Sequence, residues 1–408
     1  MIFKFVTSIG AAALVLAAAA AANGGSGALQ NTARTGSLPV APAWTGGRYR
    51  LIDLGTLGGS SSDAAGINAG GFIVGSANLA RNQTEHAALW RDGGRTLDDL
   101  GTLGGPNSDV AWPNHSDTDA VAGIAETSAI DPLGEAWSCS AFFPTVTHHV
   151  CLGFVRRHGV LRALPTLGGF NGYASGINNS RQVVGWAENT THDPTCNPPQ
   201  VLQFKPALWD AAGRVHQLPT FGHDPDGAAT AINDNGQVVG ISGRCDVAVG
   251  RFSALHAVLW QRGAAVDLGS LGGVAWNTPT DINLLGEIVG FSDLPGDGNG
   301  QLNAHAFLWT KDGRPRMKDL GTLGGDVISL ANGINDRGQI VGVSIGATSR
   351  AFIWQNGKMT DLNALIPHDS SLHLISGNGI DDRGDIVGQA LNPKTGATPA
   401  FLAIPTRE

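Results

Sequence analysis

The sequence predicts an all-β fold, a seven-bladed β-propeller of four-stranded blades closed by its N-terminal strand. Three observations carry this expectation. One phrase recurs in seven copies at a spacing of roughly 40–65 residues, the mark of a repeat architecture. It reads Asp-Leu-Gly-Thr-Leu-Gly-Gly, then Gly-Ile-Asn-x-x-Gly-x-Ile-Val-Gly, then His-Ala-x-Leu-Trp, then a turn leading back to Asp-Leu. Each copy divides into four strand-length segments, and the two ends of the array are complementary fragments of one copy.

The first phrase opens at 53–59 and 99–105, is altered at 164–169 and 218–223, returns at 267–273 and 319–325, and is eroded at 361–367. The Asn of the second phrase falls at Asn68, Asn114, Asn178, Asn233, Asn283 and Asn335, with Asp381 in the last copy. The Trp falls at Trp90, Trp209, Trp260, Trp309 and Trp354; Arg156 and Ala403 stand there in the second and last copies. In the first copy, segments 64–68, 72–76, 87–90 and 95–100 have the length of strands and are bounded by Gly, Asn and Asp. Tight hairpins need residues that tolerate positive φ. Asn68-Ala-Gly-Gly71, Asn233-Asp-Asn-Gly236 and Asn335-Asp-Arg-Gly338 supply them between first and second strands. Asp92-Gly93, Asp312-Gly313 and Asn356-Gly357 do so between third and fourth. No helical periodicity competes beyond the leader.

The array begins with a lone fourth strand at 49–54 and ends with a lone third strand at 400–404. The first can complete the last blade, and closure removes sheet edges that would invite aggregation. An open solenoid needs no such matching ends, whereas radially packed four-stranded sheets use them.

Outside the array, Lys4, an apolar run over 9–22 and Ala20-Ala21-Ala22 before Asn23 read as a secretory signal. The expected organisation is a signal peptide at 1–22, a flexible Gly, Ser, Ala and Pro-rich linker at 23–47, and the seven-repeat domain at 48–408. The apolar run is short for a membrane span, so no membrane insertion is expected after leader removal. The net charge is −8 and no basic stripe appears, which argues against nucleic acid and anionic membrane surfaces as partners. The expected product is monomeric and secreted, periplasmic or held at the cell surface. In that compartment four cysteines suggest two disulfides. Cys139 and Cys151 share one insertion, and Cys196 and Cys245 occupy equivalent loops of neighbouring repeats. Cys139–Cys151 with Cys196–Cys245 is the preferred pairing.

Loop length locates the working face. The connection between second and third strands runs from about seven residues after Gly342 to about 28 after Gly123, and variable surface loops carry function on rigid scaffolds. A ligand is expected on that face, which also bears the fourth-to-first connections. The candidate binding residues there are Trp112, Trp137, Trp186 and Trp276, which break the Trp register, with Glu126, Glu188 and Asp193. Indoles can stack on sugars or anchor a protein. A glycosidase would need two carboxyls roughly 5–9 Å apart, drawn from these or from Asp131 and Glu135. The remaining motifs read as structural. His86, His256 and His305 occupy one slot of blades spread round the ring, too far apart for one metal. Asp293, Asp297 and Asn299 carry hard oxygens suited to calcium without the spacing of an EF-hand. Gly342-Val-Ser-Ile-Gly346 matches a hydrolase nucleophile pattern but lacks the following helix, which leaves Ser344 a loop serine. No cofactor is expected.

The three phrases, with His305-Ala-Phe-Leu-Trp309 the fullest third phrase, resemble the HAF family of extracellular repeat proteins from about Tyr49 to the C-terminus. The resemblance implies an exported bacterial protein and brings no catalytic residues. The function expected is a non-enzymatic scaffold binding a glycan or a surface protein. A polysaccharide hydrolase or lyase working in the central funnel, or a purely structural envelope protein, is the alternative.

Overall fold

A computed structural model describes residues 49–135, 142–246, 250–296, 298, 300–311 and 316–406. It contains seven antiparallel sheets of four strands arranged as a seven-bladed β-propeller, and in six of them each strand pairs with its neighbour in sequence. Blades 1 to 6 comprise residues 58–99, 104–163, 168–217, 226–267, 278–319 and 328–361. Blade 7 takes three strands from the C-terminal end (His373–Ile380, Ile386–Leu391 and Ala400–Pro405) and its outer strand, Tyr49–Asp53, from the start of the repeats. The pairing runs from Tyr49 opposite Pro405 to Asp53 opposite Phe401, so the expected closure is present.

The inner strands are longer than the sequence suggested. In blade 1 the strand is Gly58–Ile67, because the Leu-Gly-Gly turn already pairs with the second strand at Gly58–Leu79 before the register shifts. A register shift beside the Ile-Val-Gly pairing occurs in six blades, such as Ala64/Gly66 and Ala229/Ala231, and in blades 1, 3 and 7 it is the second of two. It bows the inner strand toward the glycine that ends Ile-Val-Gly. A Cβ on Gly75 would lie 1.9 Å from the Asp63 carbonyl oxygen, and one on Gly342 would lie 2.0 Å from that of Leu330. The repeated glycine is therefore a site of backbone contact opposite a bulge. The eroded seventh phrase forms a short 3₁₀ turn, Leu362–Ala364, whose Asn363 N–H is capped by the Asp361 side chain.

The repeated asparagine stitches blades together. In blade 4, Asn233 Oδ1 accepts from the Asn235 and Gln237 N–H groups, closing the hairpin. Its Nδ2 donates to the Asn283 carbonyl of blade 5 at 2.9 Å. Asn178 donates likewise to Asn233, Asn283 to Asn335, and Asn335 to Asp381. Asp381 cannot donate, and Arg383 Nη1 takes over by reaching the Ala69 carbonyl of blade 1. A second bond holds the opposite ends of neighbouring blades. Ser62, Ser108 and Ser329 each accept from a third-strand N–H of an adjacent blade (Ala400, Ala87 and Ala306) and donate to a turn carbonyl. Third-strand tryptophans fill the remaining space: Trp90, Trp209 and Trp260 are buried, and their indole N–H groups bond to Leu54, Pro165 and Pro219 of the preceding blade.

Candidate functional site

Two faces follow from the up-and-down strand order. One bears the Asn hairpins and the third-to-fourth turns. The other bears the long second-to-third connections and the fourth-to-first turns.

On the loop face, most residues singled out from the sequence lie beneath the surface. Trp112, Trp186 and Trp276 are 4%, 1% and 2% exposed. Trp112 stands at the ring axis, lining a small apolar cavity with Ala65, Thr280, Asn332 and Asn378 of other blades. Trp186 packs edge-on against Phe204, its ring centre 5.9 Å away, in an aromatic cluster that includes Trp112, Phe142 and Tyr173. The Trp276 indole donates to the Gly300 carbonyl at 2.9 Å. Indoles buried in this way pack the interior and present no stacking surface. Trp137 lies outside the described residues.

Glu126 and Glu188 are also buried, at equivalent places on the second strands of blades 2 and 3. Glu126 accepts from the backbone and side chain of Asn107 and from the Thr147 hydroxyl. Glu188 accepts from the Asn171 backbone at 2.8 Å and from the Gln200 side chain at 3.2 Å. The two asparagines in turn accept third-strand N–H groups of the preceding blade, from Glu85 and Cys151. Asp226 fills their slot in blade 4, accepting from Phe204 N while its other oxygen has no hydrogen-bond partner. Around Glu188 lie Asp131, which accepts from Asn171 Nδ2 at 2.6 Å, and Glu135, whose Oε1 accepts from the Val201 and Leu202 N–H groups. Burial, reinforced by the charge of Glu135, pushes Glu188 up to about 8. Burial pushes Asp226 up to about 7. Glu135 is raised mainly by burial as well. Asp193 is only half-buried; burial raises its carboxyl, but bonds from Thr195 and Gln203 outweigh that and lower it overall.

The hairpin face holds an axial cavity of about 140 Å³. Asp117, Asp234, Asp281, Asp336, Asp381 and Asp382 line it. Most already serve the ring: Asp234, Asp336 and Asp382 accept backbone N–H groups of Asn179, Leu284 and Asp336 from the preceding blade. His115, from the irregular second copy, crosses the bore to place Nε2 2.6 Å from Asp281 Oδ1 in blade 5. Burial alone would lower its pKa, but Asp281, Asp234 and Asp336 together raise it. Sequence reasoning missed this cross-axis pair. Its visible sign was the spacing from Asn114 to Gly123, nine residues where copies such as Asn68 to Gly75 have seven.

The other motifs resolve into clasps. His86 and His305 each pair with the aspartate that opens the next copy of the phrase, Asp99 and Asp319, on the neighbouring outer strand. His256 instead meets Asp224, which also accepts from Ser242. The aspartate lies between serine and histidine, so the imidazole does not contact the hydroxyl and this is not a nucleophile triad. Blade 6 repeats the arrangement with Arg350, Asp326 and Ser344, and Ser344 is fully buried. Asp293 is buried and accepts from Asn303 N. Asp297 and Asn299 lie outside the described residues. Among the described residues no group of three His, Cys, Asp or Glu side chains is placed to hold a metal. Cys196 and Cys245 form the expected disulfide between blades 3 and 4. Cys139, assigned to Cys151, lies outside the described residues. No described helix is long and apolar enough to cross a membrane.

No family model and no curated protein matches the chain. Solved structures of similar shape include a streptogramin B lyase (11% identity, TM-score 0.49, 90% of this chain and 100% of that one). They also include the acylaminoacyl peptidase of Pyrococcus horikoshii (12%, 0.47, 87% and 54%) and the sialidase of Trypanosoma rangeli (10%, 0.40, 90% and 60%). The chain thus spans about half the length of the peptidase. The functions of these proteins differ from one another, and fold likeness at this level assigns none of them here.

Proposed function

We propose that the protein is an exported, non-enzymatic scaffold of the HAF-repeat type that receives a protein partner on its loop face. The observation that carries this reading is what that face leaves exposed. Glu126, Glu188 and three indoles are buried, so these candidates for acid–base chemistry or sugar stacking are withdrawn from solvent. In their place stand Ile130, Val146, Phe170, Val274 and Val327, between 40% and 65% exposed: Ile130 and Phe170 on strands Val121–Ile130 and Gly168–Ile177 near this face, the other three on its connections. Exposed aliphatic and aromatic side chains of this kind suit another protein surface better than a glycan. Export is supported by the leader-like N-terminus and by a disulfide, which persists in oxidising compartments.

The test is site-specific photocrosslinking in cells that produce the protein. A crosslinker at Phe170 or Val327 is expected to give a discrete protein adduct, while one at Leu285 on the hairpin face gives none. Sugar release from a polysaccharide panel, abolished by Glu188→Gln, would overturn the reading in favour of a hydrolase.

A further inference from the structure

We propose that the contact joining blades 2 and 3 on the loop face is a proton-dependent clasp, held while Glu188 keeps its proton and loosened as Glu188 ionises beside Glu135 and Asp131. The inference is independent of the binding role.

The geometry is specific. Asp131 and Glu135 belong to the second-to-third connection of blade 2, whereas Glu188 lies on the second strand of blade 3. All three are buried, at 6%, 1% and 0% exposure. Glu135 binds the backbone of Val201 and Leu202 at 2.8 and 2.6 Å, and Asp131 binds the Asn171 side chain, whose backbone N–H bonds to Glu188. Three carboxyls thus converge on the stretch by which one blade grips the next. The adjoining groups are His192, which acts weakly on Glu135, and Gln200, whose Nε2 donates to Glu188 while its Oε1 has no hydrogen-bond partner. The nearest lysine, Lys205, is turned toward Asp226 and Asp193 and bonds to the Pro225 carbonyl. Glu188 itself accepts only from amides of Asn171, Phe170 and Gln200. Like charges in a dry site cannot all ionise cheaply.

The sign follows from linkage. Glu188 ionises near 4.5 when exposed and near 8 in the clasp. Opening is therefore least favourable at and below the lower value. It becomes easier by up to about tenfold per pH unit between roughly 5 and 8, and levels off above.

Amide hydrogen exchange of the full-length protein reads this directly at Val201, Leu202 and Asn171, after correction for the intrinsic rate at each pH. Opening there is expected to rise by at least tenfold from pH 5.5 to pH 8 while blade 6 amides stay flat. Glu188→Gln should abolish the rise. Glu135→Gln, which keeps an oxygen for Val201 and Leu202 and removes the strongest neighbouring charge, should end the rise at lower pH. A pH-independent exchange in the wild type would overturn the proposal. So would an unchanged slope in Glu188→Gln or, if that variant does not fold, a rise in Glu135→Gln that ends at the same pH as in the wild type.

Discussion

Replacing Asn233 by alanine tests whether the recurring asparagine acts as an inter-blade rivet rather than a turn former alone. Its side chain makes four bonds: to the Asn283 carbonyl, to Gln237 Oε1, and from the N–H groups of Asn235 and Gln237. An intramolecular hydrogen bond contributes about 0.5–1.5 kcal/mol net. Water can replace the partners on the half-exposed hairpin, but the Asn283 carbonyl keeps only the Gly286 N–H. Counting the Asn283 bond in full and the three hairpin bonds in part gives a loss of about 2–3 kcal/mol. The assay is urea unfolding followed by tryptophan fluorescence. Asn233→Asp should cost about 1–2 kcal/mol, because it keeps the acceptor and nothing replaces the donor as Arg383 does in blade 7. The reasoning is refuted if Asn233→Ala costs less than about 0.5 kcal/mol. Equality with Asn235→Ala, whose exposed amide reaches Leu284, would refute it equally.

Asp226→Asn should stabilise the protein at pH 8 by about 1–3 kcal/mol, because it installs the residue that blades 2 and 3 carry. The raised pKa of Asp226 means that its penalty is absent below pH 4 and grows until pH 7, so the gain should vanish in urea titrations at pH 4. Deleting residues 1–53 should expose the edge of strand Ala400–Pro405 and cause aggregation by light scattering; a synthetic peptide of residues 48–54 should reverse it. Cys196→Ser with Cys245→Ser opens a loop whose ends are 49 residues apart and should lower stability in non-reducing urea by about 3–4 kcal/mol. No loss would place the constraint elsewhere.

The ring was legible because its signals are local. Asn-x-x-Gly hairpins and matching end fragments depend only on turn chemistry and strand pairing. The third-strand tryptophans likewise lie where the repeat placed them, between blades. The candidate site was less legible, because exposure is a tertiary property. Trp186 and Glu188 sit two residues apart on one strand beside a variable loop, and nothing in that spacing reveals that both face inward. Which carboxyls gather around Glu188 depends on an insertion folding back from another blade. The His115–Asp281 pair spans 166 residues and the bore of the ring, beyond the reach of any repeat phrase.

The seam between Tyr49–Asp53 and Ala400–Pro405 sets an order of events during synthesis. Tyr49–Asp53 must wait, unpaired, until Ala400–Pro405 has left the ribosome. A truncated product can therefore assemble sheets but never a locked circle. Because Tyr49 and Pro405 already lie opposite each other, joining these two ends of the repeat array and cutting at an exposed turn such as Asp92-Gly93 would move the seam to blade 1 and leave the same interior.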